Sequence, residues 1–118
     1  MKTTVDKMVE LGSIPQNICA GIGPCINECC FEVGPEVVAE FKKLLGPDAD
    51  EVYKLTNKSS KKYHVNLRKS IELRLLQLGL KTENISHVDE CTCCNTDKYF
   101  SFRAEDGKTG RMAHIIHL

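Results

Sequence analysis

The stretch NLRKSIELRLLQLG (Asn66–Gly79) decides the fold class. Leu67, Ile71, Leu75 and Leu78 recur at helical spacing, and Leu76 widens the stripe. Asn66 is of the type that accepts a hydrogen bond from a free first-turn amide, and glycine at 79 is of the type that ends a helix. A helix over 67–78 is predicted. Upstream, Tyr63–Val65 reads as a short strand. Residues 47–62 read as polar and irregular, with Lys58, Lys61 and Lys62 as a solvated patch or an anion site. Gly34-Pro35 opens a further helix, with proline at its first position and Val37, Val38, Phe41, Leu44 and Leu45 on one face. Gly46-Pro47 ends it. Asn17–Ile22 (NICAGI) reads as a buried strand that turns at Gly23-Pro24. Residues 2–11 read as a helix with Val5, Met8 and Val9 on one face and Gly12 as its cap. Downstream, Ile85–Val88 is a strand candidate, and Met112–Leu118 (MAHIIHL) is a C-terminal strand with Tyr99–Arg103 as its partner. Helices and strands alternate, so the class is α/β, or α+β in layers, with a mixed sheet and packed helices.

The 118 residues suffice for one domain, and a hydrophobic fraction of 42% suffices for a core. Sixteen Lys and Arg balance sixteen Asp and Glu. That balance argues against a duplex-binding surface, which needs excess positive charge. The longest apolar run, Leu75–Leu80, is broken by Gln77 and Gly79, so no membrane span is expected. A soluble, cytoplasmic protein is the expectation.

Seven cysteines fall at 19, 25, 29, 30, 91, 93 and 94. Without a signal sequence a disulfide framework is the weaker reading, which leaves free thiols, a structural zinc site or a redox pair. Cys91 and Cys94 form one C-x2-C knuckle, and Cys25 and Cys29 would supply the second pair at an unusual spacing. His64, His87, His114 and His117 are scattered, which favours surface or packing roles over a shared metal. In YFSFRAEDGKTGRMA (Tyr99–Ala113), Arg103 and Arg111 are candidate partners for an anionic ligand, because a guanidinium offers a planar fork of donors. No Ser/His/Asp set or carboxylate pair emerges from spacing.

Two motifs carry a family resemblance. AGIGPCINECCFEV (Ala20–Val33) resembles A-x-I-G-P-x-I-x-x-C-C-[FY]-E-V. Cys91-Thr92, Tyr99–Arg103 and Lys108–Ala113 together resemble C-T … F-F-S-[YH]-R … K-T-G-R-M-A. In order and spacing they resemble the C-terminal half of the laccase-domain (YfiH-like) family, labelled multicopper polyphenol oxidases and regarded as zinc-dependent purine nucleoside enzymes. The resemblance implies a layered α/β fold, residues 1–118 as a single partial domain, and phosphorolysis of purine nucleosides with deamination of adenosine.

It also implies what these 118 residues lack. The family's zinc and catalytic set, two histidines and a cysteine, lies in V-H-G, A-D-C and H-A-G-W-R-G segments upstream of I-G-P. The chain has no Trp, and Ile22 leaves no room for those segments. An uncapped helix at the first residue fits missing upstream sequence. The expectations are therefore no catalytic residue, no metal ligand and no cofactor in this chain alone, and no independent activity. Gly23, Pro24, Arg103 and Arg111 are the residues expected to line or support a substrate site for purine nucleoside and phosphate. A homodimer, or an independently folded binding or cysteine-based metal/redox module, is the alternative.

Overall fold

The computed structural model of the chain describes residues 1–117. Three helices, α1 (Lys2–Glu10), α2 (Pro35–Leu45) and α3 (Leu67–Gln77), alternate with five strands. The strands are β1 (Ala20–Ile22), β2 (Glu32–Val33), β3 (Tyr53–Asn57), β4 (Lys62–Val65) and β5 (Ile85–His87). β1 and β5 pair in parallel, with Ala20 opposite Ile85 and Ile22 opposite His87. The other sheet is antiparallel in the order β2-β4-β3. The mixed α/β class expected from the sequence is the one observed. Among the described residues no helix is long and apolar enough to cross a membrane.

α3 is the central element. The Asn66 side chain accepts from the Lys69 amide at 2.9 Å, which satisfies one of the orphan donors of the first turn. The other end stops where Gly79 takes φ +101°, with no space for a side chain beside Pro15. Ile71, Leu75 and Leu78 pack with Val5 of α1, Ile18, Leu80, Ala20 and Ile85. Leu73, on the opposite side, packs against Leu45, Ala49 and Val52. The helix thus buries two faces, where the spacing of its leucines predicts one stripe. Gln77 ties its end to α2 by donating to the Leu45 carbonyl at 2.9 Å and to Asp48 at 3.0 Å.

α2 begins at Pro35 and ends at Gly46, as its local signals require. Val38, Val33 and Val65 form a further core cluster, flanked by Phe31, Val37, Phe41, Tyr53 and Tyr63. The two tyrosine rings meet edge-on at 5.7 Å. Val65 and Val52 are almost completely buried.

Two expectations are corrected. Residues 47–62 are not irregular: Gly46–Glu51 form a 3-10 turn and Tyr53–Asn57 pair with β4 as a hairpin. The lysine patch sits at the exposed tip of that hairpin, with Lys61 in the left-handed region at φ +50°. Residues 99–117 form no strand; they follow turns and an exposed irregular course. Ile115 and Ile116 are over 90% exposed, so the apolar MAHIIHL segment reads as a strand only by composition. Leu118, the last residue of that expectation, lies outside the described residues.

Loss of the Asn66 cap leaves the Lys69 amide without its side-chain acceptor. Asn66→Ala is expected to lower unfolding free energy by about 1 kcal/mol, while Asn66→Asp retains the stability. Urea denaturation followed by circular dichroism measures both.

Candidate functional site

The parallel pairing of β1 and β5 continues beyond the strands. The Val88 amide donates to the Ile22 carbonyl at 3.0 Å, and the Thr92 amide donates to the Cys25 carbonyl at 3.1 Å. Cys25 and Cys91 form an isolated parallel bridge. Both cysteine-bearing loops therefore leave the same ends of adjacent strands. In the first loop, the amides of Cys30 and Phe31 both donate to the Asn27 carbonyl at 3.0 Å. In the second, the amide and side chain of Asn95 donate to the Cys91 carbonyl at 3.1 and 2.7 Å.

These turns gather four thiols. The Sγ atoms of Cys29, Cys30, Cys91 and Cys94 all lie within 4.8 Å of one another, a grouping able to hold a metal ion. Cys30 and Cys94 are 3.4 Å apart, and Cys29 is 3.7 Å from each. The pairing expected from spacing is corrected here: Cys30, not Cys25, joins Cys29. The tight turn at Asn27 aims two adjacent side chains at Cys94, which the spacing rule for knuckles does not anticipate.

The thiols are electrostatically unequal. Burial opposes ionisation of Cys91, yet hydrogen bonds from the Asn27, Cys94 and Cys93 amides outweigh it and bring the thiol down to about 7. The Asn27 amide stands 3.3 Å from this sulfur. Cys30 is pushed far up, first by its contact with Cys94 and then by desolvation. Desolvation also raises Cys29. Cys25 is raised by burial, against the pull of Arg68.

Arg68, on the first turn of α3, is a residue that sequence reasoning missed. It donates to Asn27 Oδ1 at 2.7 Å and to Asp89 at 2.6 Å, joining the helix to both loops. Its side chain is only 14% exposed. No local pattern marks it, because its partners are 41 and 21 residues away.

The expected substrate-binding residues divide between two places. Gly23 and Pro24 line an open cleft of about 750 Å³, walled by Ile22, Ile71, Leu75 and Val88. His87 and His114 line it too, so two histidines that looked scattered share one cavity. A side chain at Gly23 would collide with the His114 ring, its Cβ falling 2.8 Å from Nδ1. Arg103 is elsewhere. It donates to the main-chain carbonyls of Glu32 at 3.0 Å and Cys30 at 3.5 Å, and lies 5.8 Å over the Phe31 ring. It is exposed, and its guanidinium is occupied in capping carbonyls. Arg111 is exposed on the segment leading to His114. His64, by contrast, faces Glu32 across the antiparallel sheet at 3.5 Å.

This combination of a parallel β-strand pair, an I-G-P turn and a C-terminal cysteine loop defines a recognisable class of fold. The chain belongs to the family described as multi-copper polyphenol oxidoreductase laccase, whose model matches residues 1–118. It is 33% identical over 102 residues to a protein named purine nucleoside phosphorylase YlmD from Geobacillus stearothermophilus, covering 86% of this chain and 36% of that protein. It is 34% identical over 110 residues to adenosine deaminase RL5, from a prokaryote of unknown identity, covering 93% of this chain and 41% of that one. The crystal structure of a Bacillus licheniformis protein titled hypothetical protein YfiH superposes with a TM-score of 0.87 at 29% identity, covering 92% of this chain and 40% of that chain. The chain thus spans about two fifths of the length of these relatives.

Arg103→Ala removes two carbonyl caps and a ring contact, an expected loss on the order of 1 kcal/mol. Arg103→Lys recovers only part, since one ammonium cannot reproduce the planar fork. Thermal unfolding of the three proteins tests this. In Gly23→Ala the His114 ring is expected to swing away with little change in stability, read from its imidazole resonances by NMR.

Proposed function

We propose that this chain is a segment of a purine nucleoside phosphorylase, supplying one wall of the nucleoside cleft and not the catalytic metal. The observation that carries the reading is the cleft at Gly23-Pro24. Its volume falls in the range of small-molecule sites, and its walls are apolar with a few polar groups, the pattern expected of a site for a flat heteroaromatic base. Ile22, Ile71 and Leu75 offer apolar contact to ring faces, while His87 and His114 offer hydrogen bonds to ring edges. Gly23 lets the backbone approach closely where any side chain would occupy the position of His114.

Phosphorolysis needs an anion held beside the glycosidic bond. Arg111 is assigned to phosphate; Arg103, outside the cleft and bonded to two carbonyls, braces the Cys30–Glu32 backbone. The zinc and catalytic groups implied by the family resemblance belong to segments outside these 118 residues, so the chain alone is inactive in this reading. The name of the relative RL5 supports adenosine deamination as a second activity of the same cleft. The copper chemistry in the family's description is not adopted for this cleft, whose lining offers two imidazoles, His87 and His114, too few for a multicopper cluster.

A chimera tests the reading. Residues 1–118 replace the matching stretch of Geobacillus stearothermophilus YlmD, and inosine, adenosine and phosphate are supplied. The chimera is expected to release hypoxanthine and ribose 1-phosphate from inosine, and inosine and ammonia from adenosine. The 118-residue chain alone is expected to do neither. Turnover by the chain alone at the rate of whole relatives, or a folded chimera silent with both nucleosides, overturns the proposal.

A further inference from the structure

We propose that Cys29, Cys30, Cys91 and Cys94 form a structural zinc site, a tetrathiolate that clamps the loop after β1 to the loop after β5. The proposal is independent of the phosphorylase reading. It also differs in ligand type and position from the two histidines and one cysteine that the family resemblance implies upstream.

Geometry comes first. A tetrahedral ion with Zn–S bonds of about 2.3 Å holds its sulfurs about 3.8 Å apart. The separations of 3.4, 3.7 and 3.7 Å among Cys29, Cys30 and Cys94 are already near that edge length. The cluster's upper bound of 4.8 Å lets Cys91 close the tetrahedron with a small rotation of its side chain. A disulfide would join two of these sulfurs and leave the other two beside it, whereas one four-coordinate ion uses all four. A multi-iron cluster inserts its own sulfides between the cysteines, and so needs them further apart than one ion does. Four soft thiolates in a tetrahedron suit zinc above the harder divalent cations.

The surroundings are those of a metal knuckle. Metal-bound sulfurs carry negative charge that outer partners must offset. The Asn27 amide points at the Cys91 sulfur from 3.3 Å, and Arg68 fixes Asn27 by its side chain. A tetrathiolate zinc complex carries a net charge of about minus two. Arg103 brings a guanidinium to the rim through the Cys30 carbonyl. Cys91 is buried at the base while Cys29 and Cys94 face solvent, so an ion has a path in. The clamp ties residues 65 positions apart in sequence, and the ordering of both loops becomes part of the metal's binding free energy.

Cys19, Cys25 and Cys93 lie outside the cluster and serve as internal controls. The 118-residue chain is purified under reducing conditions, stripped with a chelator and titrated with Zn(II) alone, then with Co(II) alone. About one equivalent of either metal is expected to bind, Co(II) with the thiolate charge-transfer bands and the visible envelope of a tetrahedral four-sulfur site. Alkylation of the zinc-loaded native protein is expected to spare the four cluster thiols and to label Cys19 and Cys93; adding chelator exposes the four. Cys30→Ser and Cys94→Ser are expected to weaken zinc by more than the roughly 100-fold that loss of an outer partner costs. Cys19→Ser is expected to bind as the parent does. The wild-type spectrum and thiol map decide the matter even where a variant fails to fold. No metal bound by reduced protein, a Co(II) spectrum lacking thiolate bands, or a Cys30–Cys94 disulfide that forms in place of metal binding overturns the proposal.

Discussion

The parallel pairing of β1 with β5 is the constraint on which the molecule depends. Only three residues of each strand take part, from Ala20–Ile85 to Ile22–His87, before the ladder passes through Val88 to the Cys25–Cys91 bridge. Parallel strands cannot be joined by a tight turn, so a long crossover must separate them. Here that crossover contains β2, α2, the β3–β4 hairpin and α3. α3 has to pack back on the strand pair with one face and on the rest of the crossover with the other. Ile71, Leu75 and Leu78 do the first, and Leu73 does the second. Because the strands run the same way, the loops that leave them emerge side by side, and the two cysteine clusters of the sequence become one cluster in space.

The parts legible in the sequence are those whose cause is local. Asn66, Gly79, Pro35 and Gly46 mark the ends of α3 and α2 by their own conformational chemistry, and the helices stop where those residues stand. β3 is hard to read because the alternation of Tyr53, Lys54, Leu55 and Thr56 is only four residues long and is followed by a polar, lysine-rich stretch, and in the fold only Tyr53 is even half-buried. What places it is the register against β4, whose Val65 is fully buried. MAHIIHL failed in the opposite direction. Its isoleucines have the composition of a strand, but composition supplies no neighbour to pair with, and both remain exposed.

The cysteine site was half legible. Cys91 and Cys94 announce a knuckle by spacing alone, because a C-x2-C turn closes on itself. Their partners do not, because Cys29 and Cys30 converge through a turn at Asn27 that is held by Arg68 from another element. Arg68 is the least predictable of the important residues. Its bonds to Asn27 and Asp89 are tertiary, and only the folded chain puts a helix N-terminus between the two loops.

The cleft and the cysteine cluster are joined through one residue pair. Cys25 lines the cleft and is bridged to Cys91, while none of the four clustered cysteines lines the cleft itself. The cluster therefore stands behind the cleft wall, one residue pair removed from it. Anything that fixes Cys91 also restrains Cys25 and the Gly23-Pro24 turn that precedes it, through the Cys25–Cys91 bridge and the bond from the Thr92 amide to the Cys25 carbonyl. A site assembled from short strands and irregular loops has few other means of holding its geometry, since the turn is flanked by Ile22, the last residue of a strand pair only three residues long, and by Cys25, held by a single isolated bridge. The division of labour follows from this arrangement. The four thiols stand outside the cleft lining, whereas Gly23, His87 and His114 belong to it.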